Sequence, residues 1–452
     1  MSNNINLKKG LDIPMAGAPV QKTVREIAPA TVSVKPSDFK GFKPRLLVKE
    51  GDTVLAGTPV MADKNNPEIL VTAPASGTVE AIVRGEKRKL LEVRIKTGET
   101  MEYVDFGARN VKSLSAEQVK EALLASGLWL GLIQRPYGII ANPEVKPKAI
   151  FVSAFNTAPL AAYLEFALDG ELENIQAGID AVAKLTDGGV HVSFNEKTMA
   201  ATPFNKLGNI VSHSFSGKHP AGNTGIQISH ISPIMKGETV WTISMVMLAA
   251  IGKFFLTGKL DLTRQVAVTG PVAKNPSYVK TLPGVSMKEL AEFYDNSAND
   301  VRFVSGDCLS GTNVGAGGSL CYHDNQVTLL HEETERELFG WVKPFRPGQF
   351  STSRSYFSWL TPKKKYNMGT NTHGGVRAFV CSDVYGKVLP MDIFPVYLVK
   401  ACLAEDIDKM EKFGIYEVLP EDLALCEYVD PSKIDIQDII QKGIDLMIKE
   451  MA

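Results

Sequence analysis

The segment Gly127 to Gly138, GLWLGLIQRPYG, combines large apolar side chains with an arginine and a tyrosine. A flat apolar ligand with polar carbonyl ends, such as a quinone, needs both kinds of group, because apolar side chains cover its ring while a few polar groups fix its ends. Arg135 could donate a hydrogen bond to a carbonyl oxygen, and Tyr137 could cover the ring. The same composition also suits packing between two domains, and the residues alone leave both interpretations open.

A glycine-rich loop occurs further along the chain, in SGKHPAGNTGIQISH from Ser216 to His230. Glycine permits close approach of the backbone to a ligand, so exposed amides in such a loop could bind an anion or a phosphate. The residues of this candidate ligand loop are Gly217, His219, Pro220, Gly222 and Gly225. Their spacing is not the G-x-G-x-x-G dinucleotide pattern, and a purely structural loop that supports a neighbouring domain is the alternative.

A lysine in VMADKNNPEILVTAPASG, Val60 to Gly77, follows an aspartate and precedes an Ala-Pro-x-x-Gly turn. Domains that carry lipoate or biotin place the modified lysine similarly, at the tip of a tight hairpin. Here Asn65 to Glu68 follow Lys64 and lengthen the hairpin, and loop length determines hairpin geometry. We therefore expect the shape of a carrier domain with Lys64 as an ordinary loop residue, and a lipoyl or biotinyl carrier is the alternative.

The other candidate residues do not complete a catalytic or metal centre. The glycines of SGTNVGAGGSL superficially resemble a nucleotide-binding turn, but the following SLCYHDNQVTLL is predicted to continue as a strand, where that motif requires a helix. The histidines have no metal-ligand spacing, and His323 and His331 are predicted to be surface residues. We predict no catalytic residue and no metal ligand in this chain.

Charge and cysteine content argue against several classes of protein. The 452 residues include 49 Lys and Arg against 50 Asp and Glu, a formal net charge of −1, which gives no reason to expect nucleic acid as a partner. The five cysteines are scattered without a C-x-x-C motif, which argues against a disulfide framework or a zinc knuckle. The N-terminus lacks the apolar core of a secretory signal.

Periodicity and turn signals divide the chain into four predicted domains. Short β-branched runs between 36 and 97 predict a small all-β barrel or sandwich, and strands that alternate with helices from KAIFVSAFNT onward predict a parallel, Rossmann-like sheet. The apolar run VWTISMVMLAAIGKFFLTG contains Lys253 and predicts a buried helix rather than a membrane span. A β-grasp-like module and a mainly helical region follow. The predicted domains are residues 1–104, 105–258, 259–335 and 336–452.

Short motifs distributed along nearly the whole chain carry a resemblance to a known family. In chain order they are LKKGLDIPMAGAP, ADKNNPEILVTAPASGTV, ASGLW, RPYG, AIFVSAFNTAPLAA, HPAGNTG, FFLTGKL, VSGDCLSGT, ELFGW, LPMDIFP and EDLALCEYV. Together they resemble the A subunits of the sodium-translocating NADH:quinone reductases. The resemblance implies an α/β multidomain fold with a biotinyl- or lipoyl-like barrel-sandwich hybrid, a Rossmann-like domain, a β-grasp module of the SLBB type and a helical C-terminal region.

The resemblance also implies a function in respiratory electron transfer. The A subunit of such a reductase is a peripheral protein on the cytoplasmic side of the bacterial inner membrane, in a six-subunit complex that passes electrons from NADH to ubiquinone and exports Na⁺. The resemblance implies ubiquinone as substrate and the other five subunits as partners, with docking on the B subunit. FAD, FMN, riboflavin and iron–sulfur centres are expected in other subunits, so no tightly bound cofactor and no complete catalytic centre are expected here.

Relatives of the family provide a further alternative, a flavin- and NADH-binding dehydrogenase subunit like those of respiratory complex I or the Rnf complex. Those relatives carry cysteine motifs for iron–sulfur clusters in their C-terminal regions. Cys426, in DLALCEYVDPSK, has no companion at x-x spacing, so a cluster would lack ligands. The loop HPAGNTG does not reproduce the glycine-rich flavin loop of the complex I relative.

We predict that quinone contacts come from the segment Leu132 to Tyr137 and from two phenylalanines that the carrier-like domain could present to it. Arg135 would donate a hydrogen bond to a quinone carbonyl, while Tyr137 and the phenylalanines would cover the ring. The predicted quinone-binding residues are Phe39, Phe42, Leu132, Gln134, Arg135, Pro136 and Tyr137. The sequence leaves open whether the pocket is complete in this chain or shared with another subunit.

Overall fold

The computed structural model describes residues 4–294, 300–333, 346–352, 357–380 and 383–451. Its strands are β1 (Asn4–Asn6), β2 (Thr23–Glu26), β3 (Thr31–Val34), β4 (Pro44–Leu46), β5 (Thr53–Val54), β6 (Pro59–Asp63), β7 (Leu70–Thr72), β8 (Gly77–Arg84), β9 (Leu90–Thr97), β10 (Ile133–Arg135), β11 (Ile139–Ile140), β12 (Ile150–Ser153), β13 (Val190–Asn195), β14 (Val211–Ser216), β15 (Val240–Thr242), β16 (Arg264–Thr269), β17 (Ser277–Thr281), β18 (Val301–Ser305), β19 (Thr312–Asn313) and β20 (Gln326–His331). Its α-helices are α1 (Ala116–Ser126), α2 (Leu164–Ala167), α3 (Leu172–Val182), α4 (Thr224–Ile231), α5 (Met245–Thr257), α6 (Tyr385–Val388), α7 (Pro395–Leu403), α8 (Ile407–Phe413), α9 (Ala424–Val429) and α10 (Ile436–Met451).

Two small antiparallel sheets form the N-terminal β domain. One has the order β3-β9-β8-β5 and the other β4-β6-β7, and both contribute side chains such as Val32, Val71 and Val93 to one buried core. Lys64 follows β6 directly and is exposed, in a hairpin loop where the Asp63 carboxylate accepts hydrogen bonds from the Lys43 and Asn66 amides. The predicted β domain is confirmed, and the assignment of Lys64 as an unmodified loop residue stays a prediction.

A seven-stranded sheet forms the α/β domain, with the order β1-β14-β13-β12-β15-β10-β11. The strands from β1 to β15 in this order are parallel, whereas β10 and β11 are antiparallel additions at one edge. The prediction of a parallel sheet is therefore confirmed. The N-terminal segment supplies β1 through backbone pairing of Ile5 with Phe215, so a strand that the sequence assigned to the first domain belongs to this sheet.

Helices α3 and α5 pack closely because each has a glycine at the crossing. A Cβ atom on Gly178 would lie 2.1 Å from the Leu248 carbonyl oxygen, and one on Gly252 would lie 1.7 Å from that of Asn174. Helix α5 confirms the predicted buried helix, although the apolar run begins with strand β15 rather than with helix. Among the described residues, no helix combines the length and the apolarity that crossing a bilayer requires.

A six-stranded mixed sheet, β19-β18-β20-β16-β17-β2, forms the β-grasp-like domain. Strand β2 comes from the N-terminal segment and pairs with β17 in parallel. The prediction that SLCYHDNQVTLLHE continues in strands is correct only for Gln326–His331, and the residues before it form turns and a loop. That loop brings His323 and Asp324 to the site described below.

The C-terminal region is helical from Tyr385 onward, where its helices pack around a core of their own, whereas its described residues before 380 are mostly turns and loops. Helices α7, α9 and α10 contribute buried side chains such as Leu398, Leu425 and Ile440 to this core, which confirms the predicted helices. The predicted boundary at residues 335 and 336 and the motif ELFGW lie outside the described residues. The four domain boundaries stay a prediction. Strands β1 and β2 of the first predicted domain pair in the sheets of the α/β domain and of the β-grasp-like domain.

Candidate functional site

A cleft of about 460 Å³ lies at the carboxyl ends of the central parallel strands of the α/β domain. The chain passes from β12 to β13 and β14 on one side and then returns to β15 on the other side of β12. Ligands of open α/β sheets bind at such a switch point, where the loops after two neighbouring strands diverge. Ser153 ends β12, Thr242 ends β15, and both line the cleft.

Three domains contribute walls to this cleft. The α/β domain supplies the floor, with Ile133, Asn156 and Met245 among its lining residues. The β-grasp-like domain contributes a carboxylate-rich wall, and the C-terminal region contributes the third side. The residues of these two walls are Asp307, Leu309, Ser310, His323, Asp324, Asn325, Glu421 and Ala424. Because the cleft depends on all three domains, its shape depends on how they pack together.

The predicted glycine-rich loop reaches the cleft through two of its five residues. His219 and Gly222 line it, and they are held by Thr157: its Oγ1 lies 3.2 Å from His219 Nδ1 and accepts a hydrogen bond from the Gly222 amide at 2.9 Å. Burial lowers the pKa of His219, although nearby carboxylates including Asp307 oppose this. The imidazole is therefore neutral near pH 7.

The other three residues of that loop are not among the lining residues of the cleft, but one has a specific packing role. Gly225 lies in α4, and a Cβ atom there would come within 2.2 Å of Asp422 Oδ2 and 2.3 Å of Arg135 Nη1. Only a glycine leaves room for this ion pair. Gly217 has a φ of +147° and is exposed, while Pro220 is buried.

Arg135 is buried in an ion pair rather than open to the cleft. Only 2% of its surface is exposed, and its Nη1 donates to Asp422 Oδ2 at 2.8 Å while its Nη2 donates to Glu421 Oε1 at 2.9 Å. A direct hydrogen bond to a quinone carbonyl would need a free guanidinium edge facing the ligand. Arg135 holds Glu421, which lines the cleft, and the direct quinone contact predicted for Arg135 stays a prediction.

Within the predicted segment Leu132 to Tyr137, the residue that lines the cleft is not one of those predicted to bind quinone. Successive side chains of a strand point to opposite faces, and in β10 it is Ile133 that lines the cleft, together with Gly131 just before the strand. Leu132 is in the core, and Gln134 accepts a hydrogen bond from the Asn142 amide. Pro136 is buried and Tyr137 is half-buried, and neither is among the lining residues.

The two predicted phenylalanines lie behind the cleft wall. Phe39 is buried and packs edge-to-face against Tyr322, with ring centroids 5.1 Å apart, and against His323, with centroids 5.9 Å apart. Phe42 is half-buried and packs on Phe39 with centroids 6.0 Å apart. Since His323 lines the cleft, Phe39 supports that wall from behind, and its predicted contact with quinone stays a prediction.

A buried polar network behind Asp324 was missed by the sequence prediction. Ser305 Oγ donates to Asp324 Oδ2 at 2.6 Å and accepts from the Cys321 amide at 2.9 Å. Burial raises the pKa of Asp324 to about 6 despite the Ser305 hydrogen bond, and burial, with the Arg264 charge, lowers the pKa of His323 to about 4. The available signal was the adjacent His-Asp pair before β20.

Among the described residues, no group of three or more His, Cys, Asp or Glu side chains is arranged to hold a metal ion. The cleft instead combines apolar side chains such as Ile133, Phe155 and Met245 with amides, hydroxyls and carboxylates. Such a mixture suits an organic ligand that has an apolar body and polar ends. Fold and cleft together define a multidomain α/β protein with a composite cleft at its switch point.

Comparison with known proteins identifies the family. The model of the NqrA N-terminal barrel-sandwich hybrid domain matches residues 5–98, that of the NqrA second alpha/beta domain matches 114–260, and that of the NQRA C-terminal domain, of the SLBB type, matches 265–316. The chain belongs to the NqrA family, the A subunits of the Na(+)-translocating NADH-quinone reductases. The resemblance and the fold class predicted from the sequence are thereby confirmed.

Relatives in this family match over nearly their full length. The A subunit of the Na(+)-translocating NADH-quinone reductase of Rhodopirellula baltica is 36% identical over 98% of this chain and 98% of its own length. The proteins of that name from Yersinia pestis bv. Antiqua and Actinobacillus succinogenes are 38% and 37% identical, over 97% and 99% of this chain and 98% and 100% of their own lengths. These relatives are subunits of an oxidoreductase complex.

Two solved structures show a weak overall likeness. Two chains described as NAD+-reducing [NiFe]-hydrogenase, in the air-oxidized and the H2-reduced state, are 12% and 10% identical, with TM-scores of 0.33 and 0.37. They match 48% and 75% of this chain and 47% and 62% of their own length. Likeness of this degree supports no statement about fold or function.

Proposed function

We propose that this chain is the A subunit of a Na⁺-translocating NADH-quinone reductase and that its switch-point cleft binds the quinone headgroup. The observation that carries the proposal is family membership over 97–99% of the chain, which includes all three domains that build the cleft. The chain is then one part of an NADH:quinone oxidoreductase and contributes quinone binding to a reaction that other subunits complete.

The chemistry of the cleft supports a quinone as its ligand. A quinone ring is flat and apolar, so it gains from contact with Ile133, Phe155 and Met245. Its two carbonyl oxygens accept hydrogen bonds, and Asn156 and Asn223 line the cleft with amide groups that can donate them. A cavity of about 460 Å³ is within the range of about 300–1,000 Å³ that small-molecule sites occupy.

In this proposal the residues predicted from the sequence act as supports of the site. Arg135 positions the Glu421 carboxylate at one wall, and Phe39 supports His323 at another. His219 and Gly222 contribute directly to the lining. The residues proposed to contact the quinone are therefore neighbours of the predicted ones, and Ile133 takes the place of Leu132 and Gln134.

We further propose that the chain is a peripheral subunit on the cytoplasmic side of the bacterial inner membrane. Its partners would be the other five subunits of the complex, with docking on the B subunit. FAD, FMN, riboflavin and iron–sulfur centres would reside in those subunits, and none would be tightly bound here. Family membership supports these assignments, since the relatives are named as one subunit of a reductase complex.

Equilibrium binding of a short-chain ubiquinone tests the proposal, measured by calorimetry on the isolated chain and on the assembled complex. Ile133→Trp fills the cleft and is expected to weaken binding at least about tenfold, whereas Leu256→Trp, on an exposed position of α5, should not change it. Circular dichroism checks that both variants fold. The proposal fails if ubiquinone binds neither preparation, or if Ile133→Trp binds it as tightly as the unchanged chain in both.

The alternatives predict different properties of the purified chain. A flavin-binding dehydrogenase subunit would absorb in the flavin bands of the visible spectrum. A lipoyl or biotinyl carrier would have an intact mass above that of its amino-acid sequence, with the added mass on Lys64. We expect a colourless protein of 49.2 kDa.

A further inference from the structure

A second concave surface, of about 470 Å³, lies apart from the cleft and shares no lining residue with it. It is formed where the loop after α4 meets the residues before α7 and the end of α8. We name this surface the acidic groove and define it by five of its lining residues: Met235, Asp392, Phe394, Phe413 and Glu417.

Large apolar side chains are exposed at the acidic groove. Met235 is 66% exposed and Phe394 is 60% exposed, and Tyr397, 54% exposed, lies beside them. The ring centroids of Phe394, Tyr397 and Phe413 are 5.6–6.4 Å apart, so the three aromatic rings form one continuous surface cluster. Contiguous exposed apolar surface of this kind marks interaction sites more often than isolated exposed residues do.

The rim of the groove has more negative than positive charge. Its charged lining residues are Asp392, Asp408, Glu411 and Glu417 against Lys236 and Lys412. Glu411 is paired with Lys236 at 2.7 Å, but within the described part of the chain Asp392, Asp408 and Glu417 have no ion-pair partner within 4 Å. Burial and the neighbouring Asp392 both raise the pKa of Glu417, so a cation placed between these two carboxylates would relieve their repulsion.

We propose that the acidic groove binds a basic segment of a partner polypeptide. An apolar anchor of that segment would lie between Met235 and Phe394, and its Lys or Arg side chains would contact Asp392 and Glu417. Apolar anchors surrounded by complementary charges are the usual design of such peptide sites. Anionic lipid does not fit, because its headgroups would face the carboxylates. A second copy of this chain, groove against groove, would bring like charges together.

A designed peptide tests this inference without reference to quinone binding. The probe is a fluorescein-labelled amphipathic peptide of about 14 residues, or four helical turns, composed of leucine and lysine, and the matched control peptide has glutamate in place of lysine. Fluorescence anisotropy with the full chain is expected to show saturable binding of the leucine–lysine peptide and at least tenfold weaker binding of its acidic counterpart.

Variants of the chain locate the binding. Phe394→Ala is expected to weaken binding of the leucine–lysine peptide about tenfold. Asp392→Asn combined with Glu417→Gln keeps the shape of the groove and should both weaken binding and reduce its salt dependence. Tyr163→Ala removes an aromatic side chain that is also exposed, 42%, but lies outside the groove, and should bind as the unchanged chain does.

Several outcomes would overturn the inference. One is equal peptide binding by the groove variants and the unchanged chain, and another is equal binding of the acidic peptide. Association with vesicles of phosphatidylglycerol that is lost in Phe394→Ala would identify a lipid site instead. A concentration-dependent dimer in sedimentation velocity that Phe394→Ala abolishes would identify a second copy of the chain as the occupant.

Discussion

Asp422→Ala is expected to destabilise the protein strongly, because this carboxylate has two buried hydrogen-bond partners. Asp422 is 1% exposed, and its Oδ2 accepts from Arg135 Nη1 at 2.8 Å and from the Leu419 amide at 3.0 Å. The variant would leave the Leu419 amide without an acceptor and the buried Arg135 with Glu421 as its remaining carboxylate, at 2.9 Å.

The expected cost follows from these two losses. Breaking a buried ion pair by removing one member costs about 3–5 kcal/mol, and a buried N–H without an acceptor costs about 1–3 kcal/mol. Because Glu421 still compensates part of the Arg135 charge, we expect a total of about 3–4 kcal/mol. The double variant Arg135→Met with Asp422→Leu removes both charges together and is expected to be more stable than Asp422→Ala.

Differential scanning calorimetry and urea unfolding measure these changes, with the first transition compared between variants because a chain of several domains does not unfold in one step. Asp187→Asn is the matched control. Its ion pair with Lys146, at 2.6 Å, has side chains 88% and 58% exposed, and exposed pairs contribute at most about 1 kcal/mol. The reasoning is refuted if Asp422→Ala is no less stable than this control, or if the double variant is the least stable of the set.

Two further predictions concern the same region. Gly225→Ala is expected to lower stability by about 1–3 kcal/mol through overpacking against Asp422. The control Gly386→Ala has open space around the added methyl group and should not lower it. Melting temperatures measure both variants, and equal values would contradict the role of Gly225. Burial raises the pKa of Asp324 to about 6 from 3.8, so this carboxyl stabilises the fold below pH 3.8 and that stability is lost as pH rises through 6. Asp324→Asn is therefore expected to be more stable than the unchanged chain at pH 8 by an amount on the order of 1–3 kcal/mol, and the advantage should vanish near pH 4. His323, whose pKa is lowered to about 4, gives stability the opposite pH dependence, but it does so equally in the unchanged chain and in Asp324→Asn. The difference between their melting temperatures therefore isolates Asp324, and a difference independent of pH would contradict the prediction.

Local elements were predictable because their signals lie within a few residues. Helix α1 begins after Ser115, whose side chain accepts from the Gln118 amide in a capping box, and ends at Gly127 with a φ of +77°. Both signals are local backbone requirements that a sequence states directly. The parallel sheet followed in the same way from strands that alternate with helices.

Which residues line the cleft could not be predicted from the sequence, because they come together over long distances in the chain. Arg135 and Asp422 are 287 positions apart, and nothing in the sequence around Arg135 indicates that a carboxylate will pair with its guanidinium. The face that Ile133 presents was also undetermined, since a shift of one residue in a strand reverses which side chain faces the cleft. The sequence predicts His323 as a surface residue and assigns no site role to Asp324.

The sequence by itself determined the family and the fold class, since these depend on local patterns and on motif order. Only the tertiary structure decided which polar atoms face the cleft and which are hydrogen-bonded or ion-paired inside the protein. The physical reason is that a buried charge such as that of Arg135 must be paired, and its partners, Glu421 and Asp422, come from a distant domain. The same packing left the aromatic side chains of the acidic groove at the surface.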